Sequence, residues 1–278
     1  MKEVDLLFIA CVHNRKKKTL AALKSIFEQN LCTKFSIQIV ILDDGSIDQT
    51  ASAVKNFFPK VDLVNGDGNY FWAGGMRYLY SYIQKRYNFR YLVVFNDDIV
   101  LEENALLSLI NTSTQLHTRN IYPHVVTGTF LDLSKESVTY GGVNSYGSIF
   151  KKFKKTNIKH AAEKVDTLNM NLALIPFATI DKIGFLSDFF THSFADYEYG
   201  LRVSSSTGGG WVCPGVVGYC DRNEEINLSK FNSVFELNDY IKSPLGLPFQ
   251  DRFHFLKNCG GQLWLLEYAY PYIKIYCK

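Results

Sequence analysis

The sequence predicts an α/β protein in which a mostly parallel, Rossmann-like central sheet carries helices on both faces. Two observations support this fold class. Apolar runs of strand length alternate with helical patterns across the first half of the chain, and the connections between them are short. The apolar runs are also nearly continuous, as expected for strands that are buried on both faces of a parallel sheet. In such sheets, ligands bind beyond the carboxyl ends of the strands.

The elements of the first half follow one another in the order that this fold requires. The first strand is expected from Val4 to Val12, and the spacing of Leu20, Leu23 and Phe27, with Ile26 beside them, predicts the apolar face of a helix. The pattern Ser46-x-x-Gln49 matches a capping box that opens the next helix. The remaining predicted elements are a strand at 37–42, that second helix at 48–58, a strand at 61–64, a helix at 73–86, a strand at 91–95 and a helix from about Glu102.

The second half of the chain has a less regular pattern. Residues 125–166 are richer in Gly, Ser and Thr and are expected to form short strands and loops, and the run 204–210 is expected to be a turn or loop. Residues 181–190 and 198–204 are expected to bracket an active-site segment. From Asn227 onward the sequence is typical of aromatic helices. We therefore expect one large domain over residues 1–225 and a small helical, aromatic C-terminal extension over residues 226–278.

The composition is that of an ordinary globular protein, with 47% hydrophobic and 21% charged residues. A net charge of +3 is too small to predict a nucleic-acid partner. The local basic runs 15–18 and 151–155 are typical of solvated faces, with phosphates or an anionic membrane surface as the alternative. No apolar run reaches the roughly 18 residues that span a bilayer. With six cysteines, no C-x-x-C pair and no secretory signal, reduced thiols and a cytoplasmic location are expected.

Polar and acidic residues follow three of the predicted strands. The first strand is followed by His13-Asn14-Arg15, the second by Asp43-Asp44-Gly45-Ser46 and the fourth by Asn96-Asp97-Asp98. Parallel topology brings these groups to one edge of the sheet. Because like charges held close repel unless a cation lies between them, Asp97 and Asp98 predict a divalent metal that could neutralise a diphosphate. The alternative is an exposed turn or a helix N-cap.

Two other phosphate-binding patterns do not occur in the sequence. A dinucleotide-binding domain would place G-x-G-x-x-G after the first strand, yet residues 11–16 contain no glycine. The P-loop pattern G-x-x-x-x-G-K-[ST] is missing as well. Phosphate is therefore not expected to be held by a glycine loop.

Four motifs occur in order along the chain, namely Asp43-Asp44-Gly45-Ser46, the glycine-rich segment 66–75, Asn96-Asp97-Asp98 and the acidic segment 195–202. Together with the strand that ends in His13-Asn14-Arg15, they resemble family 2 inverting glycosyltransferases of the GT-A fold. The first motif looks like that family's donor-base motif, and the third looks like its metal-binding DXD motif with Asn at the first position. The second is similar to a segment of the rhamnosyltransferase-like branch, and the fourth resembles the motif that carries the catalytic base. The resemblance covers roughly residues 4–225.

The resemblance implies a role for individual residues of these motifs. It implies Asp98 as the metal ligand with Asp97 in support, and Mg²⁺ or Mn²⁺ shared with phosphates as the ion. It implies Asp196 as the general base, with Glu198 as the alternative. Residues 1–100 would form the nucleotide-sugar-binding half and residues 101–225 the acceptor half. Asp43 would accept a hydrogen bond from the nucleotide base, and Asp44 would order its loop or reach the ribose. The donor-binding set would comprise Asn14, Arg15, Asp43, Asp44, Gly68, Asn69, Trp72, Gly74, Gly75, Asn96, Asp97 and Arg202.

Several of these residues also have a structural interpretation. Asp44 could instead complement the dipole at a helix N-terminus, and Trp72 could pack in the core. The resemblance implies that Arg202 helps to hold the departing diphosphate. Arg202 also lies four residues after Glu198, so the alternative is an ordinary ion pair of the two on one helix. His254, which could complete a metal shell, stands between two phenylalanines and is typical of a packed side chain.

The resemblance implies a metal-dependent inverting glycosyltransferase that uses a nucleotide-diphosphate sugar. Its acceptor would be a glycan or lipid-linked glycan in bacterial polysaccharide or glycoconjugate assembly. The sequence allows an oligomer but does not determine the oligomeric state. The alternatives are a catalytically inactive nucleotide-sugar-binding domain and a sugar nucleotidyltransferase. The second is disfavoured because this sequence has no glycine-rich, basic loop after the first strand. The aromatic C-terminus, with Lys274 and Lys278, could contact the inner face of the plasma membrane or pack onto the catalytic domain.

Overall fold

The computed structural model describes residues 1–30, 34–206, 208–222, 231 and 234–276. The helices are α1 (Lys16–Phe27), α2 (Thr50–Phe57), α3 (Phe71–Ile83), α4 (Ala105–Thr118), α5 (Phe177–Ile183), α6 (Ala195–Ser204), α7 (Val234–Lys242), α8 (Phe249–Cys259) and α9 (Trp264–Tyr276). The strands are β1 (Lys2–Val12), β2 (Ile37–Asp43), β3 (Asp62–Asn65), β4 (Tyr87–Phe95), β5 (Val100–Leu101), β6 (His124–Leu131), β7 (Val138–Tyr140), β8 (Gly142–Tyr146), β9 (Lys152–Lys155), β10 (Glu163–Val165), β11 (Thr167–Leu168), β12 (Leu172–Pro176) and β13 (Gly209–Tyr219). Within these ranges, none of the helices combines the length and the apolar character that a membrane crossing requires.

The main sheet follows the order β10-β13-β6-β12-β4-β1-β2-β3. The pairs β4–β1, β1–β2 and β2–β3 are parallel. β12 lies antiparallel between β4 and β6, and β13 pairs in parallel with β6. β6 and β13 therefore run in the same direction as the first four strands. As a result, the amino end of β12 and the carboxyl end of β13 reach the edge at which β1, β2 and β4 end.

Side chains of β1 alternate between two hydrophobic cores, one on each face of the main sheet. Phe8 belongs to the core that α1, α2 and α4 cover, and Ile9 belongs to the core that α3, α6 and α8 cover. Burial on both faces explains why the strand appears in the sequence as a continuous apolar run. The predicted fold class, a mostly parallel sheet with helices on both faces, is confirmed.

The middle of the chain adds a second, smaller sheet. β8 pairs antiparallel with both β9 and β11 to form three strands beside the main sheet. The segment 125–166, predicted as short strands and loops, holds β7, β8, β9 and β10 and nearly all of β6.

The capping-box prediction for the second helix is wrong. α2 begins at Thr50, and Gln49 precedes it with a left-handed φ of 67° and without a side-chain cap. The Ser46 hydroxyl instead accepts a hydrogen bond from the Asn14 amide. The Asp48 carboxylate accepts from the amide and the hydroxyl of Thr50. Ser46 thus ties the loop after β2 to the loop after β1, and this contact replaces the predicted cap.

The last described segment is helical and aromatic, as predicted. α8 contributes Phe255 and Leu256 to the core beneath the main sheet. α9 packs on α8 through edge-to-face contacts of Phe253 with Trp264 and Tyr268. The expected boundary between residues 225 and 226 lies outside the described residues, as do Asn227, Cys32, Thr207, Cys277 and Lys278.

Candidate active site

A cavity of about 670 Å³ opens at the carboxyl edge of the main sheet. It is bounded by the segments that follow β1, β2 and β4, by the start of α6 and by the residues that precede β12. Of the residues predicted to form a site, those that line the cavity are Arg15, Asp44, Gly68, Trp72, Asn96, Asp97, Asp98 and Asp196. The predicted residues that lie outside its lining are Asn14, Asp43, Asn69, Gly74, Gly75, Glu198 and Arg202.

Asp44 organises the loop that leads into α3. Its carboxylate accepts hydrogen bonds from the backbone amides of Gly68, Tyr70 and Phe71 at 2.8, 3.0 and 3.1 Å. Because Tyr70 and Phe71 lie at the start of α3, the acid also complements the positive end of that helix. The structural interpretation of Asp44 is therefore realised, and the same carboxylate shapes one wall of the cavity.

Asn14 joins the loops after β1 and β2, and Asp43 closes the second of these loops, both from outside the cavity. Asn14 adopts a left-handed φ of 52°, and its side-chain oxygen accepts from the Ile47 amide at 2.8 Å. Asp43 is buried, and its Oδ1 accepts from the Ser46 amide at 2.9 Å. Two adjacent acids of one motif therefore have different surroundings, since only Asp44 reaches the cavity.

Asp97 and Asp98 form an acidic end of the cavity directly after β4. Their side chains are 7% and 8% exposed. The Arg15 Nη1 lies 3.2 Å from Asp97 Oδ1 and 2.9 Å from Asp98 Oδ2, and the Lys18 Nζ lies 3.9 Å from Asp98 Oδ2. Burial raises the pKa of Asp97 to about 6, although the Arg15 charge acts in the opposite direction. Two carboxylates and the two cationic side chains that contact them therefore meet at this end of the cavity.

The chemistry of this acidic end fits a hard divalent cation. An ion such as Mg²⁺ that is shared with substrate phosphates takes only one or two carboxylates from the protein, and Mn²⁺ prefers the same oxygen ligands. Asp97 and Asp98 supply that pair. Across the described ranges, no three His, Cys, Asp or Glu side chains are arranged to hold a metal, so they contain no closed protein cage. The Cys220 Sγ lies 3.5 Å from Asp98 Oδ1.

Trp72 links α3 to the motif that follows β4. Its indole N–H donates to the Asn96 side-chain oxygen at 2.9 Å, and its backbone amide donates to His192 Nδ1 at 3.4 Å. The first residue of the Asn96-Asp97-Asp98 motif, where the family's motif carries an acid, is therefore the acceptor of an indole hydrogen bond. This contact was not among the roles that the sequence suggested for Trp72.

The two glycines of α3 lie outside the cavity lining. A side chain at Gly75 would place its Cβ 2.5 Å from the Cys11 sulfur, so this glycine allows α3 to approach β1 closely. The Gly74 amide donates to the Thr191 carbonyl at 3.3 Å. Asn69 is exposed and forms its hydrogen bonds within its own loop. The groups that approach Gly74 and Gly75 closely are therefore Thr191 and Cys11 of the protein itself.

Asp196 lies in the first turn of α6 and lines the cavity from that helix, whereas Asp97 and Asp98 line it from the loop after β4. Its Oδ2 accepts from the Asn169 side-chain amide at 3.2 Å, and its Oδ1 accepts from the Tyr197 backbone amide at 2.8 Å. Burial raises the pKa of Asp196 to about 6, and these hydrogen bonds offset only part of the effect. Among the described residues, no Lys, Arg or His forms an ion pair with it.

Glu198 and Arg202 pair with each other outside the cavity. The Arg202 Nε donates to Glu198 Oε1 at 2.9 Å, and its Nη2 donates to the Phe185 carbonyl at 2.7 Å. The segment is helical and not extended, so residues 196 and 198 project about 200° apart around the helix axis. The pair is thus the i,i+4 ion pair that the sequence allowed, and the geometry gives no support to Glu198 as a base or to Arg202 at a diphosphate.

The segment 187–194 leads to Asp196 and lines the cavity through His192, Ser193 and Phe194, which lie between the two ranges predicted to bracket an active-site segment. Arg77 donates to two backbone carbonyls of this segment at 2.9 and 2.6 Å. The buried Asp251 of α8 accepts from the amides of Thr191 and His192 at 3.0 and 3.1 Å. α8 also contributes Phe255 to the cavity lining. The C-terminal helices therefore complete this wall.

The sequence did not reveal the polar residues that precede β12. Asn169 and Asn171 line the cavity, and Asn169 is the side chain that holds Asp196. They reach the edge only because β12 runs antiparallel, and the available signal was an Asn-Met-Asn pattern directly before an apolar run. His254 lies outside the cavity lining, as its ring stacks on Phe189 with centroids 4.4 Å apart, which matches the packed role predicted for it.

Comparison with known proteins gives one family match. A family model described as Glycosyl transferase family 2 matches residues 8–172, which is more than half of the chain. The matched region contains the loops that follow β1, β2 and β4. No curated protein matches the chain significantly in sequence.

Solved structures share the fold at low sequence identity. GalNAc-T7 with UDP, GalNAc and Mn²⁺ is 14% identical with a TM-score of 0.60, and the match covers 98% of this chain and 58% of that one. The mannosyltransferase PcManGT from Pyrobaculum calidifontis, in complex with GDP-Man and Mn²⁺, is 14% identical with a TM-score of 0.55, with coverage of 83% and 60%. S. aureus TarS 1-349 in complex with UDP-GlcNAc is 14% identical with a TM-score of 0.51, with coverage of 89% and 70%. The chain thus spans only about three fifths of the length of the first two.

Proposed function

The chain belongs to glycosyl transferase family 2 and has the GT-A fold, and we propose that it is a metal-dependent, inverting glycosyltransferase. Its donor is a nucleotide-diphosphate sugar, and its acceptor is a hydroxyl of a glycan or lipid-linked glycan. The three structural relatives contain UDP, GDP-Man or UDP-GlcNAc, and two of them contain Mn²⁺. These ligands support the donor class and favour Mn²⁺, with Mg²⁺ as the alternative ion.

The observation that carries the proposal is the chemical contrast between two acidic groups of one cavity. Asp97 and Asp98 are paired with Arg15, whereas Asp196 is held by neutral hydrogen-bond donors. Direct displacement at an anomeric carbon needs charge stabilisation at the leaving group and a base at the attacking hydroxyl. The cavity offers a candidate for each.

Asp196 acts as the general base in this proposal. It takes the proton from the acceptor hydroxyl while the hydroxyl oxygen forms its bond to the anomeric carbon. The bond from that carbon to the diphosphate oxygen breaks on the opposite face, so a single displacement inverts the centre. A pKa of about 6 leaves Asp196 ionised at neutral pH and makes it a stronger base than an ordinary aspartate. Asn169 fixes the orientation of the carboxylate.

The donor side is assigned to the residues that follow β1, β2 and β4. Asp98, supported by Asp97, would hold a divalent cation, and Arg15 lies where it could meet phosphate oxygens. When bound, such a cation supplies positive charge that stabilises the leaving diphosphate. The nucleotide contact falls to Asp44 and its loop in preference to Asp43, because Asp44 lines the cavity and Asp43 does not.

The biological setting of the proposal is bacterial polysaccharide or glycoconjugate assembly on the cytoplasmic side of the membrane. Rhamnose is among the sugars that the resemblance of segment 66–75 favours. The acceptor would enter at the Asp196 end, where the aromatic rings of Phe153, Tyr197 and Phe255 line the cavity. Aromatic rings offer flat apolar surfaces on which a sugar ring can lie.

A donor panel tests the proposal. The chain is mixed with GDP-mannose, UDP-GlcNAc or dTDP-rhamnose, each with Mn²⁺, with Mg²⁺ and with a chelator, and its melting temperature is measured. We expect one donor to raise the melting temperature only when metal is present. The Asp98→Asn variant should lose this metal-dependent shift, while Asp181→Asn, which alters an exposed acid of α5, should keep it.

Product analysis then tests the reaction. With the donor identified and an acceptor glycan supplied, NMR of the product should show the opposite anomeric configuration to that of the donor. A retained configuration would contradict the single displacement. Donor binding without transfer to any glycan or lipid-linked acceptor would support the inactive binding domain instead.

A further inference from the structure

α9 exposes an apolar face on the side that does not pack against α8. Leu265, Leu266, Tyr270 and Ile273 are 59%, 59%, 64% and 58% exposed. The opposite side of the helix packs inward, where aromatic rings contact one another and α8. A contiguous apolar surface on a folded domain marks a site of interaction.

A neighbouring loop extends this face. The amides of Gln262 and Leu263 donate to the carbonyls of Ser148 and Ile149 at 2.9 and 3.0 Å, which fixes the β8–β9 loop against the start of α9. Ile149 is 51% exposed. We refer to the combined surface as the apolar platform, and its members are Ile149, Phe150, Leu263, Leu265, Leu266, Tyr270 and Ile273.

The charged side chains of the two segments that form the apolar platform are almost all positive. The two segments that form it, 144–155 and 257–276, contain one acidic residue, Glu267, together with the lysines at 151, 152, 154, 155, 257 and 274. Lys152, Lys154, Lys257 and Lys274 are exposed. Glu267 Oε2 is buried, and the positive charges of Arg252 and Lys152 act on this carboxylate. Apolar side chains with lysines at their rim are what a peripheral helix offers to an anionic bilayer surface.

The apolar platform borders the part of the cavity that holds Asp196. In β9, Phe153 lines the cavity and packs on Tyr197 and Phe255, while Lys152 and Lys154 on either side of it are exposed. One short strand therefore joins the wall of the cavity to the basic rim. A surface that held the platform would lie near the entrance for the acceptor.

We propose that the apolar platform docks on an anionic membrane leaflet and so brings the Asp196 end of the cavity to a lipid-linked acceptor. The choice of acceptor rests on the proposed function, whereas the docking does not. A second copy of the chain fits this surface less well, because a two-fold contact would bring two identical lysine rims together. The bilayer offers the negative charge that such a contact lacks.

Vesicle cosedimentation of the full chain tests the docking. We expect binding to vesicles of phosphatidylglycerol and phosphatidylcholine, and weak binding to phosphatidylcholine alone. The double variant Leu266→Glu/Ile273→Glu should lower the bound fraction about tenfold, since two apolar side chains no longer enter the interface. Leu133→Glu is the matched control, because Leu133 is 62% exposed in the turn between β6 and β7 and lies outside the platform.

Charge variants and donor binding complete the test. Lys152→Gln/Lys154→Gln should reduce binding to the anionic vesicles, and all variants should keep the melting temperature of the parent within about 2 °C. Equal sedimentation of the platform variant and the Leu133→Glu control would overturn the proposal. A dimer that Leu266→Glu/Ile273→Glu dissociates, in a chain that does not bind vesicles, would also overturn it. Donor-induced melting shifts, measured without vesicles, report separately on the proposed function.

Discussion

The two acidic ends of the cavity use the same type of residue in opposite surroundings. Asp97 and Asp98 are adjacent, nearly buried and in contact with Arg15. Asp196 stands alone and is held by an asparagine side chain and a backbone amide. Burial raises the pKa to about 6 at both Asp97 and Asp196, but only Asp97 has a cation beside it.

This difference shows how surroundings divide the work between identical carboxylates. Burial favours the protonated form of both acids, but Arg15 and Lys18 oppose it at Asp97, whereas only hydrogen-bond donors oppose it at Asp196. The contrast predicts that substitution of Asp196 slows the chemical step, whereas substitution of Asp98 weakens donor binding.

The largest effect is expected from Asp196→Asn. Loss of the base should lower the rate of transfer about 10³-fold, while the metal-dependent melting shift caused by the donor is retained. Initial rates and melting curves with the same donor measure the two quantities. A rate close to that of the parent would remove Asp196 from the role of base.

Asp98→Asn should produce the opposite pattern. Removing one carboxylate from the acidic end should weaken donor binding in Mn²⁺ about 100-fold and leave the weaker binding in chelator nearly unchanged. Titration calorimetry with and without Mn²⁺ measures both affinities, and Asp181→Asn serves as the control acid. The Asp98→Asn variant should bind the donor equally well with and without Mn²⁺. If Mn²⁺ strengthened donor binding to this variant as much as to the parent, Asp98 would not be the metal ligand.

The pH dependence of kcat/KM should separate the ends further. Asp196 with a pKa of about 6 is ionised above that pH and protonated below it, so kcat/KM should fall about tenfold per pH unit on the acid side. The kcat/KM is measured for the acceptor with the donor at saturation, so a titration of Asp97 that weakens donor binding does not add to the fall. If the acid limb of kcat/KM persisted unchanged in Asp196→Asn, its origin would lie elsewhere.

The stability of the fold should change with the same group. A raised pKa means that the folded state binds a proton more tightly than the unfolded state, so ionised Asp196 destabilises the fold at neutral pH. Asp196→Asn should therefore raise the free energy of unfolding by about 1–3 kcal/mol at pH 7.5. The gain should shrink at pH 5, where the parent carboxyl is protonated. Urea unfolding at both pH values tests this sign.

The smallest effect is expected from Glu198→Gln. Its carboxylate lies outside the cavity lining and pairs with Arg202, so transfer should stay within about twofold of the parent, with a loss of about 0.5–1 kcal/mol in stability. The same rate assay used for Asp196→Asn provides the comparison. A loss of rate as large as that of Asp196→Asn would reverse the order of the two acids.

Much of the donor side could be predicted from the sequence because its signals are local. β1, β2 and β4 are buried on both faces and appear as continuous apolar runs, and their polar ends must meet at one edge once the strands are parallel. This reasoning brought Arg15, Asp44, Asp97 and Asp98 to one cavity. It assigned the nucleotide base to Asp43, whereas Asp44 is the acid that lines the cavity, since loop closure decides which of two adjacent acids reaches it.

The other half of the site depends on contacts that the local sequence does not encode. Asn169 reaches Asp196 because β12 is inserted antiparallel to its neighbours. The local sequence of residues 169–176 does not indicate the direction in which this strand runs. The contact of Asp251 with Thr191 joins residues 60 positions apart. The role first considered for Glu198 assumed an extended chain, and the helical geometry of α6 separates it from Asp196.

The position of Asp251 has a practical consequence for anyone who trims this protein. A version ending near residue 225 would keep every motif by which the family is recognised, yet it would lack the carboxylate that anchors the Thr191–His192 backbone. It would also lack Phe255, so the cavity would open to solvent along one wall. Shortened forms intended for ligand soaking should therefore extend at least to Cys259. If a shorter form failed to bind an acceptor, the result would not apply to the intact chain.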